Sequence, residues 1–386
     1  MPKNLPGVCF ISSYKPRQCG IATFTANIIN SLPIPKHKKK IIAISDKPNT
    51  YTYGPQIIAE IIQNNKNSYL QAAKKINKDK NIDVVCLQHV FSLFGGKHGE
   101  NIVLFLKNLK KPVATTFHMI YSKTKIPNTF EVVDSSFSFI TKEIIKYSKK
   151  LIVIIQPIAD LLESQYDVPE EKIVVIPHGM PNLKRAEPKI FKKKLGLGKG
   201  EIISTFGLIR PKKGLEYVIR AMPKVLKKYP YAKFIILGEC HPNRPKKYYN
   251  FLIKETKKIN LLNKHIFFVN QYLTFKEIVH YLLATDVFVT PYLVPEQNSS
   301  GAIAYAMGCG KAIISTPFAY AKEVLANKRG LFADYANVDS IYKAIDFFFS
   351  YPEKRKRMER LAYQYAKKHS FKTIAEKYYK VFMEIL

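Results

Sequence analysis

The chain has 386 residues, which at about 150 residues per domain favours two domains. Hydrophobic residues make up 47% and charged residues 24%, a composition that excludes wholesale disorder. The net charge is +33, yet only nine of the 62 basic residues are arginine, and this disfavours a nucleic-acid reader because such proteins rely on bidentate arginine. The lysine excess has three possible explanations, which stay open here. It could be an amino-acid bias of the source, or it could serve binding to an anionic surface or acceptor, or binding to nucleic acid.

Membrane spans, secretion signals and disulfide frameworks are also disfavoured. The longest aliphatic run, Leu151–Ile155, is far shorter than the ~20 residues of a membrane span. No apolar segment follows the first residues, so we expect a soluble, cytoplasmic chain without a signal peptide. The five cysteines are odd in number and never spaced Cys-x-x-Cys, so neither a disulfide framework nor a zinc site is predicted.

In the first half of the chain, short β-branched and aliphatic runs alternate with longer segments of helical period. Six runs predict buried strands: Val8–Ser12, Lys40–Ile44, Val84–His89, Val113–Phe117, Leu151–Ile155 and Ile173–Ile176. Five segments between them predict helices: Thr23–Leu32, Ser68–Asn77, Asn101–Leu109, Ser138–Tyr147 and Ile158–Tyr166. This alternation is typical of a parallel sheet that is covered by helices on both faces.

A second series follows the polar, proline-containing stretch Pro181–Pro188, so we expect a hinge near residue 180. Its predicted strands are Glu201–Phe206, Lys233–Leu237, Ile266–Asn270, Val287–Thr290 and Ala312–Ser315. Its predicted helices are Leu215–Lys228, Pro245–Ile259, Phe275–Ala284 and Ala302–Gly308. The predicted fold is therefore α/β, with two doubly wound Rossmann-like domains facing across a cleft that suits a nucleotide-type ligand.

In each series, a glycine-containing turn follows the first predicted strand. Gly20 lies between a strand and a helix, where backbone amides can bind an anion; a plain tight turn is the alternative. In the second series Gly207 is followed by Arg210 and Lys213, a pattern suited to a diphosphate, although a solvated basic loop is also compatible. Neither turn has the G-x-G-x-x-G spacing of a nicotinamide-binding site.

Polar residues also follow other predicted strands. His89, His118 and His178 each lie at a strand end; a structural role is the usual one for such a histidine, and His118 is the candidate for chemistry. Their spacing does not suggest a metal site. After the strand Val287–Thr290, the small residues Ser300, Gly301 and Ala302 expose amides to a sugar or phosphate at a helix start, where Ser300 also suits a helix cap.

These segments together resemble the retaining glycosyltransferases of the GT-B fold that are called group 1 or family 4. The resemblance covers nearly the whole chain, and its strength lies in the order and spacing of short motifs: Cys19–Phe24, Gln88-His89, Thr116–His118, Ile176–Gly179, Lys213-Gly214, Ile236–Gly238, Thr290–Tyr292, Ser300-Gly301, Tyr305–Gly308, Gly310–Ala312 and Phe371–Ala375. It implies an acceptor domain over residues 1–180, joined by a C-terminal helix over 371–386, and a nucleotide-sugar donor domain over 181–370.

The resemblance also implies an activity. A hexose would move from a nucleotide-diphosphate sugar to a glycan, lipid or small polyol acceptor, with retained anomeric configuration, no cofactor and no obligatory metal. If the roles of the family apply to this chain, Lys213 neutralises the departing diphosphate and Gly20 lies beside that diphosphate. His118 then faces the donor sugar. Amides at Ser300, Gly301 and Ala302 hold sugar hydroxyls or phosphate, and the main stabilisation comes from fixed cations and amides.

Two departures from the family pattern concern the donor site. Leu208 replaces the arginine that usually follows Gly207, so Arg210 is the candidate substitute. The family's two glutamates, eight positions apart, correspond here to Gln297 and Tyr305, with Glu296 one residue out of register. We therefore expect Glu296 to compensate as a catalytic carboxylate and Tyr305 to offer a phenol to the donor. A solvated Glu296 and a packed Tyr305 are the alternative.

Other functions remain open at this point. One is a nucleotide-sugar epimerase or hydrolase of the same fold, and another is a non-enzymatic basic binding protein. The basic segments Lys74-Lys75, Lys107–Lys111 and Lys142–Lys150 suggest peripheral contact with an anionic membrane, at the inner surface, or with a lipid-linked acceptor; a solvated lysine-rich face is the competing explanation. No nucleic-acid partner is expected.

Overall fold

The computed structural model of the chain describes residues 5–122, 135–240 and 246–386. The described residues form two compact units. Unit 1 runs up to Gly179 and resumes over Phe371–Leu386, and unit 2 comprises Met180–Ser370. Each unit is built on one parallel sheet with helices on its faces.

Unit 1 contains a seven-stranded sheet in the order β3-β2-β1-β4-β5-β6-β7. The central strands are buried along their whole length, which explains why the sequence shows them as continuous apolar runs rather than as alternation. The strands are β1 (Val8–Ser12), β2 (Lys39–Ser45), β3 (Ile57–Ile62), β4 (Val84–His89), β5 (Val113–Phe117), β6 (Lys150–Val153) and β7 (Ile173–Val175).

The helices of unit 1 cover this sheet. Asn65 caps the second of them by accepting a hydrogen bond from the amide of Asn67. The last helix of the chain packs against the first, and Phe382 meets Phe10 of β1 edge to face at 6.0 Å. The helices are α1 (Gly20–Ser31), α2 (Lys66–Lys78), α3 (Ile102–Asn108), α4 (Ser135–Tyr147), α5 (Gln156–Tyr166) and, at the C-terminus, α14 (Phe371–Glu384).

Unit 2 contains a six-stranded parallel sheet in the order β10-β9-β8-β11-β12-β13. A capping box formed by Thr274 and Glu277 starts one of its helices. The strands are β8 (Ile202–Phe206), β9 (Lys233–Leu237), β10 (Ile266–Val269), β11 (Val287–Thr290), β12 (Ala312–Ser315) and β13 (Leu331–Phe332). The helices are α6 (Pro188–Lys194), α7 (Leu215–Lys228), α8 (Lys247–Lys258), α9 (Phe275–Ala284), α10 (Gly301–Gly308), α11 (Ala319–Val324), α12 (Val338–Ser350) and α13 (Pro352–Lys368).

The α/β class and the alternation of strands and helices agree with the prediction, but some elements differ. The prediction missed β3, β13, α6, α11, α12 and α13. Helix α1 begins at Gly20 and not at Thr23, so Gly20 is its first residue and not part of the preceding turn. Pro245, the predicted first residue of α8, lies outside the described residues.

Candidate functional site

Two loops of unit 2, which follow β8 and β11, lie against each other. Gly214 precedes α7 with φ +64°, and a Cβ atom there would lie 2.0 Å from the carbonyl oxygen of Pro291. The amide of Leu293 donates a hydrogen bond of 2.9 Å to the carbonyl of Lys212. Both the positive φ and the lack of space require glycine at position 214. This contact fixes the turn between β8 and α7 against the loop that follows β11.

Lys213 lies at this contact with its ammonium group on an aromatic ring. Its Nζ is 3.6 Å from the centroid of Tyr292, and the ring of Tyr292 stacks on Phe318 at 5.1 Å. Burial lowers the pKa of Lys213; Tyr292 opposes this effect and the charge of Arg210 adds to it. Among the residues that the structure describes, no carboxylate pairs with Lys213. A half-buried cation that has no carboxylate partner among the described residues is suited to receive an anion from a ligand.

The predicted residues of this turn lie close together. Gly207 follows β8 with φ +132°, and a Cβ atom there would be 3.9 Å from Nζ of Lys213. The amide of Lys213 donates to the carbonyl of Arg210 at 3.3 Å, and the side chain of Arg210 is exposed. The turn therefore carries a half-buried cation next to an exposed one, a combination suited to a diphosphate.

The start of α10 is a second place for an anion in unit 2. Ser300 is buried and caps the helix, because its hydroxyl accepts a hydrogen bond from the amide of Ile303 at 3.3 Å. A Cβ atom on Gly301 would meet nothing within 4 Å. Within the described part of the chain, the amides of Gly301 and Ala302 have no acceptor. Free amides at a helix N-terminus, with open space before them, favour a negatively charged or hydroxyl-bearing ligand.

Glu296 and Tyr305 lie in different surroundings. Glu296 is half-buried in a turn. The burial of Tyr335, together with the negative charge of Glu296, raises the pKa of the Tyr335 phenol to about 12. The Tyr335 hydroxyl is buried without a hydrogen bond to any described residue. Tyr305 is buried on α10, and its ring meets those of Phe206 and Phe275 edge on, each at 5.8 Å. The packing of Tyr305 therefore places its ring in an aromatic cluster.

In unit 1 the predicted residues lie at the ends of strands or in the segments that follow them. Gly20 is exposed at the first position of α1, and a Cβ atom there would meet nothing within 4 Å. One turn further along α1, Phe24 contacts the ring of His118 at 4.9 Å and that of His178 at 4.8 Å. Helix α1 therefore connects Gly20 to two of the strand-end histidines.

The histidines are buried and uncharged near neutral pH. Burial lowers the pKa of His118 to about 3, with a further contribution from the neighbouring His178. Burial lowers the pKa of His178 to about 4, although a hydrogen bond with Gly179 opposes the shift. Nε2 of His118 lies 2.9 Å from Oε1 of Gln88. A neutral imidazole with one nitrogen occupied in this way keeps one nitrogen for a ligand.

His89 differs from these two. Its ring is fully buried among three aromatic side chains and stacks on Phe94 at 5.5 Å, with Phe91 and Phe117 at its edges. Neither ring nitrogen has a hydrogen bond to any residue of the described ranges, and burial lowers its pKa to about 3. We therefore assign His89 to the packing of unit 1.

The sequence analysis gave no site role to several residues that contact these sites. Tyr292 holds Lys213, Phe318 supports the ring of Tyr292, and Tyr335 lies near Glu296. Gln88, Thr116 and Tyr292 lie in the quoted family motifs, and Gln88 and Thr116 are polar residues at the ends of buried strands, a signal that could have marked them. No sequence signal connects Tyr378, 262 residues away, to Thr116, although their hydroxyls lie 3.0 Å apart.

The described residues contain neither a metal-type cluster of side chains nor a membrane-spanning helix. In that part of the chain, no group of three or more histidine, cysteine, aspartate or glutamate side chains could hold a metal ion. None of the described helices combines the length and the apolar character that crossing a membrane requires.

Two family models match the sequence. The model described as Glycosyl transferases group 1 matches residues 187–365, and the model described as Glycosyltransferase Family 4 matches residues 20–181. The two matches follow one another along the chain and together cover most of it. No curated protein matches the sequence significantly.

Solved structures resemble the chain over nearly its full length. A glycosyltransferase from Rickettsia africae is 20% identical, with 98% of both chains covered and a TM-score of 0.73. The Anabaena protein Alr3699/HepE, solved with UDP, is 15% identical, with 98% of this chain and 99% of that chain covered and a TM-score of 0.76. Sucrose-phosphate synthase from Thermosynechococcus elongatus is 14% identical, with 99% of both chains covered and a TM-score of 0.78. At such identities the likeness shows the fold alone.

Proposed function

Because the chain belongs to the group 1 glycosyltransferases and has the GT-B fold, we propose that it transfers a hexose from a nucleotide-diphosphate sugar to a hydroxyl acceptor. The acceptor would be a glycan, a lipid or a small polyol, and the anomeric configuration of the sugar would be retained. The observation that carries this proposal is the half-buried ammonium of Lys213, which lies on Tyr292 with no carboxylate pairing with it among the described residues.

The donor's diphosphate is assigned to unit 2. Negative charge grows on the diphosphate as the bond to the sugar breaks, so groups that are already in place and positively charged stabilise the transition state. Lys213 provides such a charge, Arg210 adds a second on the same turn, and α10 presents the amides of Gly301 and Ala302. We propose that these groups bind the diphosphate without an obligatory metal. The Anabaena protein of the same fold was also solved with UDP-glucose, which supports a donor of this class.

The sugar of the donor is assigned to polar side chains. As the bond breaks, the sugar ring acquires oxocarbenium character, and hydrogen bonds to its hydroxyls can strengthen. We assign this contact to His118 of unit 1, which is neutral and can accept a hydrogen bond, with Gly20 beside the diphosphate. Glu296 and Tyr305 of unit 2 are assigned to the sugar hydroxyls, in place of the family's two glutamates.

A peripheral membrane contact is the second part of the proposal. On α4, Phe139 is 52% exposed, and the exposed Lys142 and Lys146 follow it at positions i+3 and i+7. Residues at these spacings share one face of a helix, and an apolar side chain among lysines suits the surface of an anionic bilayer. The enzyme would then work in the cytoplasm, against the inner membrane surface and near a lipid-linked acceptor.

The donor is tested first, by thermal unfolding of the full chain with a panel of nucleotide-diphosphate sugars. A donor at 100 times its Kd should add about 2.7 kcal/mol to the free energy of unfolding. The stabilising donor is then incubated with candidate acceptors, and NMR of the product gives its anomeric configuration. Glycoside of retained configuration supports the proposal. Release of free sugar without acceptor would indicate a hydrolase, a changed sugar in the nucleotide an epimerase, and stabilisation by no donor would contradict the proposal.

The membrane contact is tested separately by flotation with liposomes. The parent chain should float with anionic vesicles and not with neutral ones at low salt. Phe139→Ser combined with Lys142→Gln and Lys146→Gln should lose this recovery, because both the apolar and the electrostatic contribution are removed. As a matched control, Lys227→Gln on α7 removes one exposed lysine of unit 2 and should float as the parent does. Equal recovery of the parent with both vesicle types would contradict the contact.

A further inference from the structure

A buried chain of hydrogen bonds leads from the C-terminal helix to His118. Tyr378 of α14 lies 3.0 Å from Thr116 of β5, hydroxyl to hydroxyl, and Thr116 accepts a hydrogen bond of 3.1 Å from Nε2 of Gln88. Oε1 of Gln88 is 2.9 Å from Nε2 of His118. All four side chains are at least 97% buried. The chain of contacts thus connects the last helix of the protein to the histidine that we assign to the donor sugar.

The orientation of the Gln88 amide determines which imidazole nitrogen carries the hydrogen. The NH₂ end of the amide has two acceptors at 3.1 Å, the hydroxyl of Thr116 and the sulfur of Cys86. In the structure the oxygen of the Gln88 amide, and not its NH₂ group, faces His118, at 2.9 Å from Nε2. Because an amide oxygen only accepts, Nε2 of His118 donates in this arrangement.

The other nitrogen of His118 is then left as an acceptor. Burial keeps the imidazole uncharged near neutral pH, so Nδ1 carries a lone pair and no hydrogen. No described residue makes a hydrogen bond to this nitrogen. Phe24, edge on at 4.9 Å, restricts the ring from another side, and Phe24 in turn contacts Phe371 at the start of α14. Helix α14 therefore acts on the ring through both a polar and an aromatic contact.

We propose that Gln88, Thr116 and Tyr378 are positioning residues that hold His118 as the Nε2-protonated tautomer, so that Nδ1 accepts a hydrogen bond from a hydroxyl of the donor sugar. This inference rests on the proposed function, because it assigns the acceptor nitrogen to a sugar hydroxyl. It adds that the ligand group facing His118 is a hydrogen-bond donor, and that α14 prepares the imidazole before the donor binds.

The tautomer can be measured without any substrate, by NMR of the full chain labelled with ¹⁵N-histidine. The His118 signals are identified by their loss in His118→Asn. The parent should show a protonated Nε2 and an unprotonated Nδ1. In Gln88→Met the acceptor for Nε2–H is removed, and the two nitrogen signals should move towards each other as the tautomers mix. A hydrogen on Nδ1 in the parent, or unchanged signals in Gln88→Met, would overturn the inference.

Transfer kinetics provide a second readout. Gln88→Met should lower kcat about tenfold, the effect of losing about one well-placed hydrogen bond. Thermal unfolding measures the binding of the nucleotide diphosphate alone. This binding should be unchanged in Gln88→Met, because that ligand has no hexose. If Gln88→Met loses nucleotide binding as well as turnover, the variant has a general structural defect, and this result would count against the inference. Absence of transfer by the parent contradicts the proposed function and leaves the NMR result to decide the tautomer.

A milder variant keeps the inference testable if Gln88→Met does not fold. Tyr378→Phe retains the ring in the core of unit 1 and removes only the far hydroxyl, so kcat should fall about threefold and the His118 signals should shift in the same direction. Tyr379→Phe is the matched control: it removes a neighbouring hydroxyl of α14 that makes no hydrogen bond with any described residue, and it should behave as the parent does. Equal effects of the two variants would contradict the role of Tyr378 in the chain of hydrogen bonds to His118.

Discussion

The Nζ atom of Lys213 lies 3.6 Å from the centre of the Tyr292 ring. A cation in contact with a ring face is stabilised electrostatically, most strongly where both groups are shielded from water. The ring therefore holds the ammonium in place before a ligand arrives, and an incoming diphosphate would find a charge that needs little reorganisation.

Loss of this charge should lower turnover. Lys213→Ala should reduce kcat by about 10²–10³, the scale for one preorganised electrostatic contact. Lys213→Met should do the same, and because it keeps most of the aliphatic stem on Tyr292, it separates loss of charge from loss of packing. Steady-state transfer at saturating donor gives the result. Lys227→Ala, an exposed lysine on α7, should keep parental turnover; near-normal turnover in either Lys213 variant would refute its role.

Glycines with and without free space should respond differently to an added methyl group. Gly301→Ala should leave the free energy of unfolding unchanged or slightly higher, because a Cβ atom meets nothing and alanine favours a helix. The KM for the donor should rise in Gly301→Ala, because the added methyl group would lie where we assign the diphosphate. Gly214→Ala should destabilise unit 2 by more than about 1 kcal/mol, because φ is +64° and the Pro291 oxygen is 2.0 Å away. Unchanged donor KM in Gly301→Ala would contradict the assignment of α10.

A carboxylate at position 296 should matter for turnover. Glu296→Gln should leave folding intact and reduce kcat by about two orders of magnitude, because the neutral amide cannot replace a charged group that orients the sugar. Glu201→Gln is the matched control, since Glu201 is also a half-buried carboxylate of unit 2 but precedes β8 at the opposite end of that strand. Parental transfer rates in Glu296→Gln would show that Glu296 is only a solvated loop residue.

The phenol of Tyr305 should contribute to donor binding more modestly. Tyr305→Phe keeps the ring against Phe206 and Phe275, so the fold should be unaffected. Loss of one neutral hydrogen bond should weaken donor binding by roughly 1 kcal/mol. Calorimetric titration with the stabilising donor measures this change. Identical donor affinity in the two proteins would leave Tyr305 with a packing role alone.

His89 should make the protein sensitive to acid. Its pKa is about 3 in the folded chain and about 6.5 in an unfolded one, so between these values the unfolded state binds more protons and stability falls as the pH falls. His89→Leu removes this proton uptake, and from pH 7 to pH 5 it should lose about 2 kcal/mol less stability than the parent. Denaturant unfolding at both pH values tests this. His37→Leu, an exposed position, should show the parental loss, and an equal loss in His89→Leu would contradict the assignment.

Local sequence patterns were sufficient for most of the sheet. Val84–His89, Val113–Phe117, Lys233–Leu237, Val287–Thr290 and Ala312–Ser315 were predicted with the bounds observed, because strands that are buried on both faces appear as short apolar runs. Strand β3 was missed, since Ile-Ile-Ala-Glu-Ile-Ile fits a helix as well as a strand. Strand β13 has only two residues, which are defined by pairing with β12 and not by their own sequence.

The residues that carry the predicted chemistry divide in the same way. Gly207, Arg210 and Lys213 could be chosen from sequence because they are neighbours in one turn after a strand, where local chain geometry keeps them together. The contact of Lys213 with Tyr292 and the chain from Tyr378 to His118 depend on residues far apart in sequence, which only the packing of separate elements brings within bonding distance. Local preference therefore determined the strands and the glycine turns, whereas the tertiary structure decided the partners of the half-buried Lys213 and the buried His118, because a polar group shielded from water depends on whichever neighbours the fold supplies.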